Sequence, residues 1–599
     1  MSRTILVCCG TGCIANGSLE TAEALRQAIL EINADASVKT IVKQTGCNGF
    51  CENGPIVRIM PDDISYYKVK PKDAPAIAAS LGRKPVERLL YRNSYGKPVK
   101  SQKENPFYTL QHKIALRNIG EIDPGQLSDY TARGGYTALK RALDMTPDEI
   151  IREVEDSGLR GRGGAGFPTG RKWRIAAGYE AEPKYVVCNG DEGDPGAFMD
   201  RSILEGDPHT VLEGMAVCAL AIGASEGFLY IRDEYGLALK HVEKAIRDAE
   251  AEGILGNSIM NSGKSLHLSI VRGGGAFVCG ESTALMASIE GRVGEPRAKY
   301  IRSVQRGLWN QPTVLNNVET FANIPVIINK GGKQFAKIGT KNSKGTKVFA
   351  MVGKVKRTGL IEVPMGVTLR RLIYNIGGGV IDDRPFKAVQ TGGPSGGCIP
   401  AKMLDLSVDF DTLTQYGAMM GSGGMIVMDD RSCMVEVARY YVNFLAGESC
   451  GKCTPCREGL RQMLTILTDI CEGRGKEGDT RLLTDIGGAM VDASLCALGK
   501  SAPNPVLTTI KYFQDEYDEH IRENHCPAGV CPKLTCFSID PLACTGCTRC
   551  KRACPTGAII GEVKTAHSIN QAACISCGSC REVCRFDAVR TEAKRRAGQ

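Results

Sequence analysis

A multidomain α/β and α+β protein carrying several metal-binding modules is predicted by three observations. The chain has 599 residues, too many for one hydrophobic core, so four or five domains are expected. Strand and helix patterns alternate around glycine-rich turns through its centre, the mark of layered α/β structure. It also holds 26 cysteines. The stretch Met1–Gly10 lacks a basic start, an apolar core and a small-residue cleavage site, so a cytoplasmic setting is expected and metal ligation outranks a disulfide framework.

Composition narrows the class. The 43% hydrophobic and 24% charged content is that of a globular chain, and no apolar run reaches the length of a membrane span. The net charge of +9 is mild and aromatics make up 6%. With no concentrated basic stripe, a nucleic-acid binder is excluded.

The elements follow in order. Residues 1–82 read as a small α/β unit: strand Thr4–Cys8, helix Ser18–Asn33, strands Thr40–Val42 and Ile56–Ile59. Ser18 is a fitting N-cap, and Leu19, Ala22, Leu25, Ala28 and Ile29 form its apolar stripe. Residues 83–126 are polar and proline-punctuated, a linker that wraps onto the next domain. Residues 127–330 read as an α/β nucleotide-binding domain. In 331–430 short strands alternate with glycine turns, and "KVFAMVGKVKRTGLIEVPMGVTLRRLI" reads as a hairpin followed by a helix. Residues 431–515 are helical around a cysteine loop, 516–537 form a hinge, and 538–599 hold an internal repeat.

That repeat is the most specific motif. Cys544-x2-Cys547-x2-Cys550-x3-Cys554-Pro555 recurs as Cys574-x2-Cys577-x2-Cys580-x3-Cys584, the two-cluster ferredoxin run in which the fourth cysteine serves the other cluster. One 4Fe-4S centre is therefore assigned to Cys544, Cys547, Cys550 and Cys584, and another to Cys574, Cys577, Cys580 and Cys554. Arg585 stands where proline usually follows. "ESCGKCTPCREG" supplies Cys450, Cys453 and Cys456 for a third 4Fe-4S centre, with Cys496 the best fourth ligand; zinc tolerates the same spacing. Cys8-x4-Cys13 with Cys47-x3-Cys51 suits a 2Fe-2S rhomb, zinc and a redox disulfide being the alternatives. Cys8 is preferred to Cys9 because its spacing reaches across the loop. Cys471, His520, Cys526 and Cys531 could hold a structural zinc, with His525 and Cys536 nearby.

Three further stretches suit a nucleotide. "SGLRGRGGAGFPTGRKW" (Ser157–Trp173) packs four glycines into Gly161–Gly166, with Arg162 and Lys172 for charge and Phe167 as a stacking face. It lacks the Walker ending. "CNGDEGDPGAFMDR" (Cys188–Arg201) offers acids for sugar hydroxyls, and "NQPTVLNNVET" offers the amides of Asn316 and Asn317 for a ring edge. "GGGAFVCGESTAL" (Gly273–Leu285) presents Gly280 and a single acid, Glu281, followed by Ser282.

Together these motifs resemble the flavin-bearing NADH dehydrogenase subunit of respiratory complex I over about 127–503. With the terminal modules the chain resembles the β (diaphorase) subunit of NAD(P)-linked, electron-bifurcating FeFe-hydrogenases. The resemblance implies a thioredoxin-like 2Fe-2S domain, a Rossmann-like FMN/NAD(P) domain, a β-grasp SLBB domain with Gly392–Gly397 as its glycine loop, a four-helix-bundle 4Fe-4S domain and a ferredoxin domain. It matches Gly161, Arg162, Gly163, Gly164, Lys172, Asn189, Asp191, Glu192, Gly280, Glu281, Asn316 and Asn317 to an FMN pocket. Phe167, Asp194, Ser282 and Lys299 match positions that contact the nicotinamide nucleotide. No side chain is expected to act as a catalytic base; Glu192 and Glu281 hold and polarise cofactor groups. The implied partners are a hydrogenase-type catalytic subunit, a small 2Fe-2S subunit and ferredoxin in a hetero-oligomer. Formate dehydrogenase and NAD–ferredoxin transhydrogenase β subunits share the pattern.

Two departures bear on the nucleotide. Complex I subunits usually carry a second glutamate where this chain has Ser282, and Lys-Pro-Pro-Phe where it has Lys299-Tyr300-Ile301-Arg302. A lost acid and a gained arginine both point towards NADP(H), or towards use of both nucleotides, because arginine accommodates a 2′-phosphate.

Overall fold

The computed structural model describes residues 3–32, 40–93, 95–298 and 300–594. They fall into two compact units, one running to Asp383 and including 391–393 and 403–427, the other comprising 384–390, 394–402 and 428 onward.

The first unit opens with β1 (Arg3–Cys8), whose Ile5 and Val7 are covered by Ala22, Leu25 and Ile29 of α1 (Ser18–Ile32). β1 pairs in parallel with β2 (Thr40–Thr45) and antiparallel with β3 (Val57–Met60). A fourth strand, β4 (Ile64–Tyr66), extends the sheet beyond β3; three residues are too few to show as a period. Asn33, the expected end of α1, lies outside the described residues. The stretch 83–126 is firmly packed. Phe107 stacks on Phe50 at 4.2 Å between centroids, and the Glu362 carboxylate accepts the N–H groups of Ala115 and Leu116, both at 2.9 Å.

The central layer follows. α2 (Pro147–Asp156) starts from a Thr146–Glu149 capping box and leads to α3 (Thr169–Ala177) and β5 (Tyr185–Gly190). Then come α4 (Met199–Gly206), α5 (Pro208–Ile222), β6 (Glu226–Arg232), α6 (Gly236–Ala251), β7 (His267–Gly273), α7 (Ser282–Ile289), β8 (Thr313–Asn317) and α8 (Val318–Lys330). The four strands form one parallel sheet in the order β8-β5-β6-β7. α5 is buried along its whole length and runs close to α8; a Cβ on Gly214 would stand 2.2 Å from the Phe321 carbonyl oxygen. β9 (Thr346–Gly353) and β10 (Gly359–Pro364) make the expected hairpin. The helix expected after it is a π-helical turn, Arg371–Ile376. β11 (Gly424–Asp429) joins β9 in parallel.

The second unit is helical. α9 (Met434–Glu448) packs on α10 (Thr454–Cys471) and on α12 (Asn504–Asp518), and α11 (Asp479–Ala493) closes the ring of four. The cysteine loop Ser449–Cys453 separates α9 from α10. The terminal repeat folds as β12 (Thr535–Ile539) against β15 (Val589–Ala593), and β13 (Ile559–Ile560) against β14 (Ser568–Ile569). Its core is small and includes Phe537, Cys550, Ile559, Cys580 and Val589.

Candidate functional site

In the parallel sheet, β5 comes first in sequence yet lies between β8 and β6. Loops leaving the carboxyl ends of β5 and β8 therefore diverge and open a crevice, the usual ligand site of such sheets. Asn189 pairs with Asn317 across this edge, and Cys188 with Asn316. Asn189 Nδ2 donates to the Gly280 carbonyl at 3.0 Å and its Oδ1 accepts the Asp191 N–H at 3.0 Å. One side chain thus ties the turn after β5 to the turn before α7. Lys172 Nζ, on α3, donates to the Leu315 carbonyl at 2.7 Å and to Asn316 Oδ1 at 3.3 Å. Asn316 Nδ2 is buried with no partner among the described residues, a donor that a ligand's ring edge would satisfy. The glycine loop lies over this floor. A Cβ on Gly163 would stand 3.0 Å from Asn317 Cβ, and Gly164 has φ +116 and pairs with Gly421. Side chains there would fill the strip that a flat ring or phosphate needs. The polar donors and the bare strip fit FMN.

The acids are occupied by the protein. The Glu281 carboxylate caps α7, accepting the N–H groups of Thr283 and Ala284 at 2.8 and 3.1 Å, and Ser282 Oγ donates to it at 3.2 Å. Glu192 accepts the N–H groups of Met199, Asp200 and Arg201 at 2.8, 3.2 and 3.1 Å. Burial pushes its carboxyl up to about 7 against the pull of those donors. Asp194 is pushed up to about 6, also by burial, although Ser422 Oγ donates to it at 2.6 Å. Asn317 caps α8 through the Glu319 N–H and its amide donates to Asp200. Burial, then the nearby Glu192 and Glu319, hold Asp200 well above the usual carboxylate range.

One expectation is corrected. The Arg162 guanidinium does not face the crevice: it is fully buried and donates to the carbonyls of Arg160, Lys344 and Thr346 at 2.6, 2.6 and 3.0 Å. Its work is to clamp the glycine loop onto the start of β9. Phe167 and Arg302, 135 residues apart in the chain, meet with the guanidinium 5.8 Å from the ring centroid. Lys299 lies outside the described residues. Sequence reasoning missed Ser422 and also Arg232, whose Nη1 is 4.0 Å from Asp191 Oδ1; neither carries a local signal.

The cysteines gather as follows. Cys8 and Cys13 approach to 3.2 Å between sulfurs, Cys47 and Cys51 to 3.5 Å, and the Asn48 N–H donates to Cys8 Sγ at 3.4 Å. Cys13 and Cys47 beside it hold the Cys8 thiol well below its ordinary range, whereas burial pushes Cys9 up to about 12. Cys9 belongs to the apolar core. Both ligand loops are docked inside the first unit: Thr11 donates to the Glu205 carboxylate, and Gly49 accepts the Leu360 N–H at 2.7 Å. Around Cys456, burial pushes the thiol up to about 11, and Cys453, Cys496 and Cys450 add to the rise. These four thiols therefore share one neighbourhood. In the terminal module Cys544, Cys547, Cys550 and Cys584 line one pocket, and Cys554, Cys574, Cys577 and Cys580 line another. The donor sets fit the expected clusters.

The zinc set needs a correction. Cys433, His520, Cys526 and Cys531 are all buried with ligand atoms within 4.8 Å of one another. Cys433 Sγ is 3.3 Å from His520 Nε2 and 3.8 Å from Cys531 Sγ. His520 Nδ1 donates to the Glu516 carbonyl at 2.6 Å, which turns Nε2 towards the thiols. Cys471, expected as the fourth ligand, falls with Glu436 and Cys531 in an overlapping group. Cys433 had no expected role, because a position 87 residues before His520 leaves no spacing to read.

Comparison with known proteins agrees with this layout. The chain matches the thioredoxin-like [2Fe-2S] ferredoxin family over residues 2–82, the Nuo51 FMN-binding domain over 154–326 and the SLBB domain over 348–398. It also matches the NADH-ubiquinone oxidoreductase-F iron-sulfur binding region over 436–520 and the 4Fe-4S dicluster domain over 536–585. It is 52% identical to the NADP-reducing hydrogenase subunit HndC of Solidesulfovibrio fructosivorans, over 76% of this chain and 93% of that protein. It is 46% identical to an NADH-quinone oxidoreductase subunit of Rhizobium meliloti, over 69% of this chain and 99% of that one. A crystal structure of an NAD+-reducing [NiFe]-hydrogenase superposes with a TM-score of 0.61 at 29% identity, covering 87% of this chain and 84% of its own. No described helix is long and apolar enough to cross a membrane. The chain belongs to the oxidoreductase family of FMN-binding, iron–sulfur subunits that includes those of NADH-quinone oxidoreductase and of the NADP-reducing hydrogenase.

Proposed function

We propose that this protein is the diaphorase subunit of an electron-bifurcating hydrogenase complex, exchanging hydride between NADP(H) and FMN and passing single electrons through iron–sulfur centres. The observation that carries the reading is the crevice between β5 and β8, with its bare glycine strip and the unpartnered Asn316 donor. Bound there, FMN would couple a two-electron hydride donor to one-electron carriers. Asn316, Asn317 and Lys172 would hold the ring edge, and the amides of the Gly161–Gly164 loop would take phosphate. Glu192 and Glu281 would act by keeping two helix N-termini in place around the cofactor, with no catalytic base. Phe167 and Arg302 would receive the nicotinamide nucleotide. Arg302 with Ser282 supports NADP(H), as does the name of the HndC relative.

The centres would be one 2Fe-2S at Cys8, Cys13, Cys47 and Cys51, and three 4Fe-4S at the other thiol sets. Zinc at Cys433, His520, Cys526 and Cys531 would be structural. A hydrogenase-type catalytic subunit, a small 2Fe-2S subunit and ferredoxin would complete the assembly. The test is purification of the complex with measurement of bound flavin and of dye reduction by NADPH and NADH. A chain that binds no flavin overturns the reading. Ferredoxin reduction that needs no second electron donor or acceptor overturns the bifurcation.

A further inference from the structure

The two cluster pockets of the terminal module are related by a shift of thirty residues along the chain. The thiols match pair by pair in exposure: Cys547 and Cys577 are exposed, Cys550 and Cys580 buried, the others intermediate. Much of the other lining matches too, Ala558 with Ala588 and Ile569 with Ile539, but several positions differ. Phe537 lines the Cys574 pocket, and its counterpart in the Cys544 pocket is His567. Ile575 in the first is likewise replaced by Thr545 in the second.

His567 is built into its place. It is 3% exposed, and its main-chain N–H donates to Cys544 Sγ at 3.4 Å. Its Nδ1 donates to the Thr565 carbonyl at 3.1 Å and lies 4.0 Å from the same sulfur. Its Nε2 is buried with no partner among the described residues. Gly561 makes the room, since a Cβ there would stand 2.7 Å from His567 Cγ. The other pocket has hydroxyls, Thr556 at 3.6 Å from Cys554 and Ser579 at 3.4 Å from Cys577. Those sulfurs meet solvent, where water supplies equivalent bonds. The one N–H of the His567 imidazole is on Nδ1 and bonds Thr565, so what the ring sets 4.0 Å from Cys544 Sγ is a buried polar edge, where the other pocket has a phenyl with none. Donors and positive dipole ends near cluster sulfur favour the reduced, more negative state.

Resting on the reading that each pocket holds a 4Fe-4S cluster, we propose that His567 keeps the Cys544 cluster at a higher reduction potential than the Cys574 cluster. An electron entering the module would then come to rest on the Cys544 side.

The experiment is mediated redox titration of the full chain followed by electron paramagnetic resonance, with iron and labile sulfide measured on every sample. Two separated steps are expected from the terminal module, beside those of the other centres. His567→Phe should lower the upper step by about tenfold in reduced-to-oxidised ratio, ~59 mV for one electron, and leave the lower step in place. Phe537→His should raise the lower step, and His567→Asn, which keeps an N–H donor, should restore most of the upper one. Unmoved potentials in His567→Phe with iron and sulfide intact overturn the proposal. If that variant loses its cluster, an unmoved lower step in Phe537→His overturns it. A wild-type module without iron and labile sulfide removes the cluster reading itself, a failure that chemical analysis tells apart.

Discussion

Replacing Lys347 by methionine tests the electrostatics behind the crevice. Lys347 and Glu319 are 0% and 1% exposed and form a buried ion pair. Lys347 Nζ also donates to the Val348 carbonyl, and the second Glu319 oxygen accepts the Val348 N–H, both at 2.9 Å. Glu319 stands in the first turn of α8, two residues after Asn317. Burial already pushes its carboxyl up, in spite of Lys347 and Arg162. Methionine preserves most of the volume and removes the charge. The stranded carboxylate should then cost about 3–5 kcal/mol. With a urea slope of about 2–3 kcal/mol per molar for a unit this size, the midpoint should fall by ~1–2 M. Both tryptophans of the chain, Trp173 and Trp309, belong to the first unit, so tryptophan fluorescence, excited selectively, reports on that unit. Restoring neutrality with Glu319→Gln in the Lys347→Met background should recover most of the loss, since a neutral amide needs no counter-charge. A loss below about 1 kcal/mol in the single variant, or a double variant no better than the single, would mean that Glu319 does not depend on the Lys347 charge.

Three other outcomes are expected. Ser282→Glu sets a second carboxylate beside Glu281, and should cut kcat/KM for NADPH relative to NADH by about tenfold, on the order of 1.4 kcal/mol; an unchanged ratio sinks the argument for NADP(H). Glu192 has a folded-state value raised to about 7, so its contribution to stability is complete below its unfolded value and is lost as pH rises through about 7, up to about 3 kcal/mol in all. Glu192→Gln should flatten that part of the stability–pH curve, read by urea midpoints between pH 4.5 and 8. Cys433→Ser should remove bound zinc from the purified protein while Cys471→Ser retains it; metal analysis showing the reverse would return Cys471 to the ligand set.

Much of this molecule was legible because its chemistry is local. Three thiolates on one short loop, repeated thirty residues later, announce a two-cluster module before any fold is known. The glycine loop before Lys172 and the paired amides of Asn316 and Asn317 declare a flat, polar ligand in the same way. Arg162 shows where that reasoning stops. A cation inside a glycine loop reads as a phosphate ligand, yet its guanidinium turns inward to three carbonyls, two of them more than 180 residues away. Glu192 and Glu281 likewise read as acids that hold cofactor groups, yet their oxygens accept the N–H groups at the starts of α4 and α7.

The modules, their order and the nucleotide-binding character of the centre could be read from the sequence. Each depends on residues a few positions apart, where spacing alone dictates geometry. The folded chain was needed to show that Cys433 joins His520 and that Arg302 lies over Phe167. Those contacts bring together distant segments whose approach is set by the burial of apolar faces, and that burial leaves no mark in the spacing of the residues it joins.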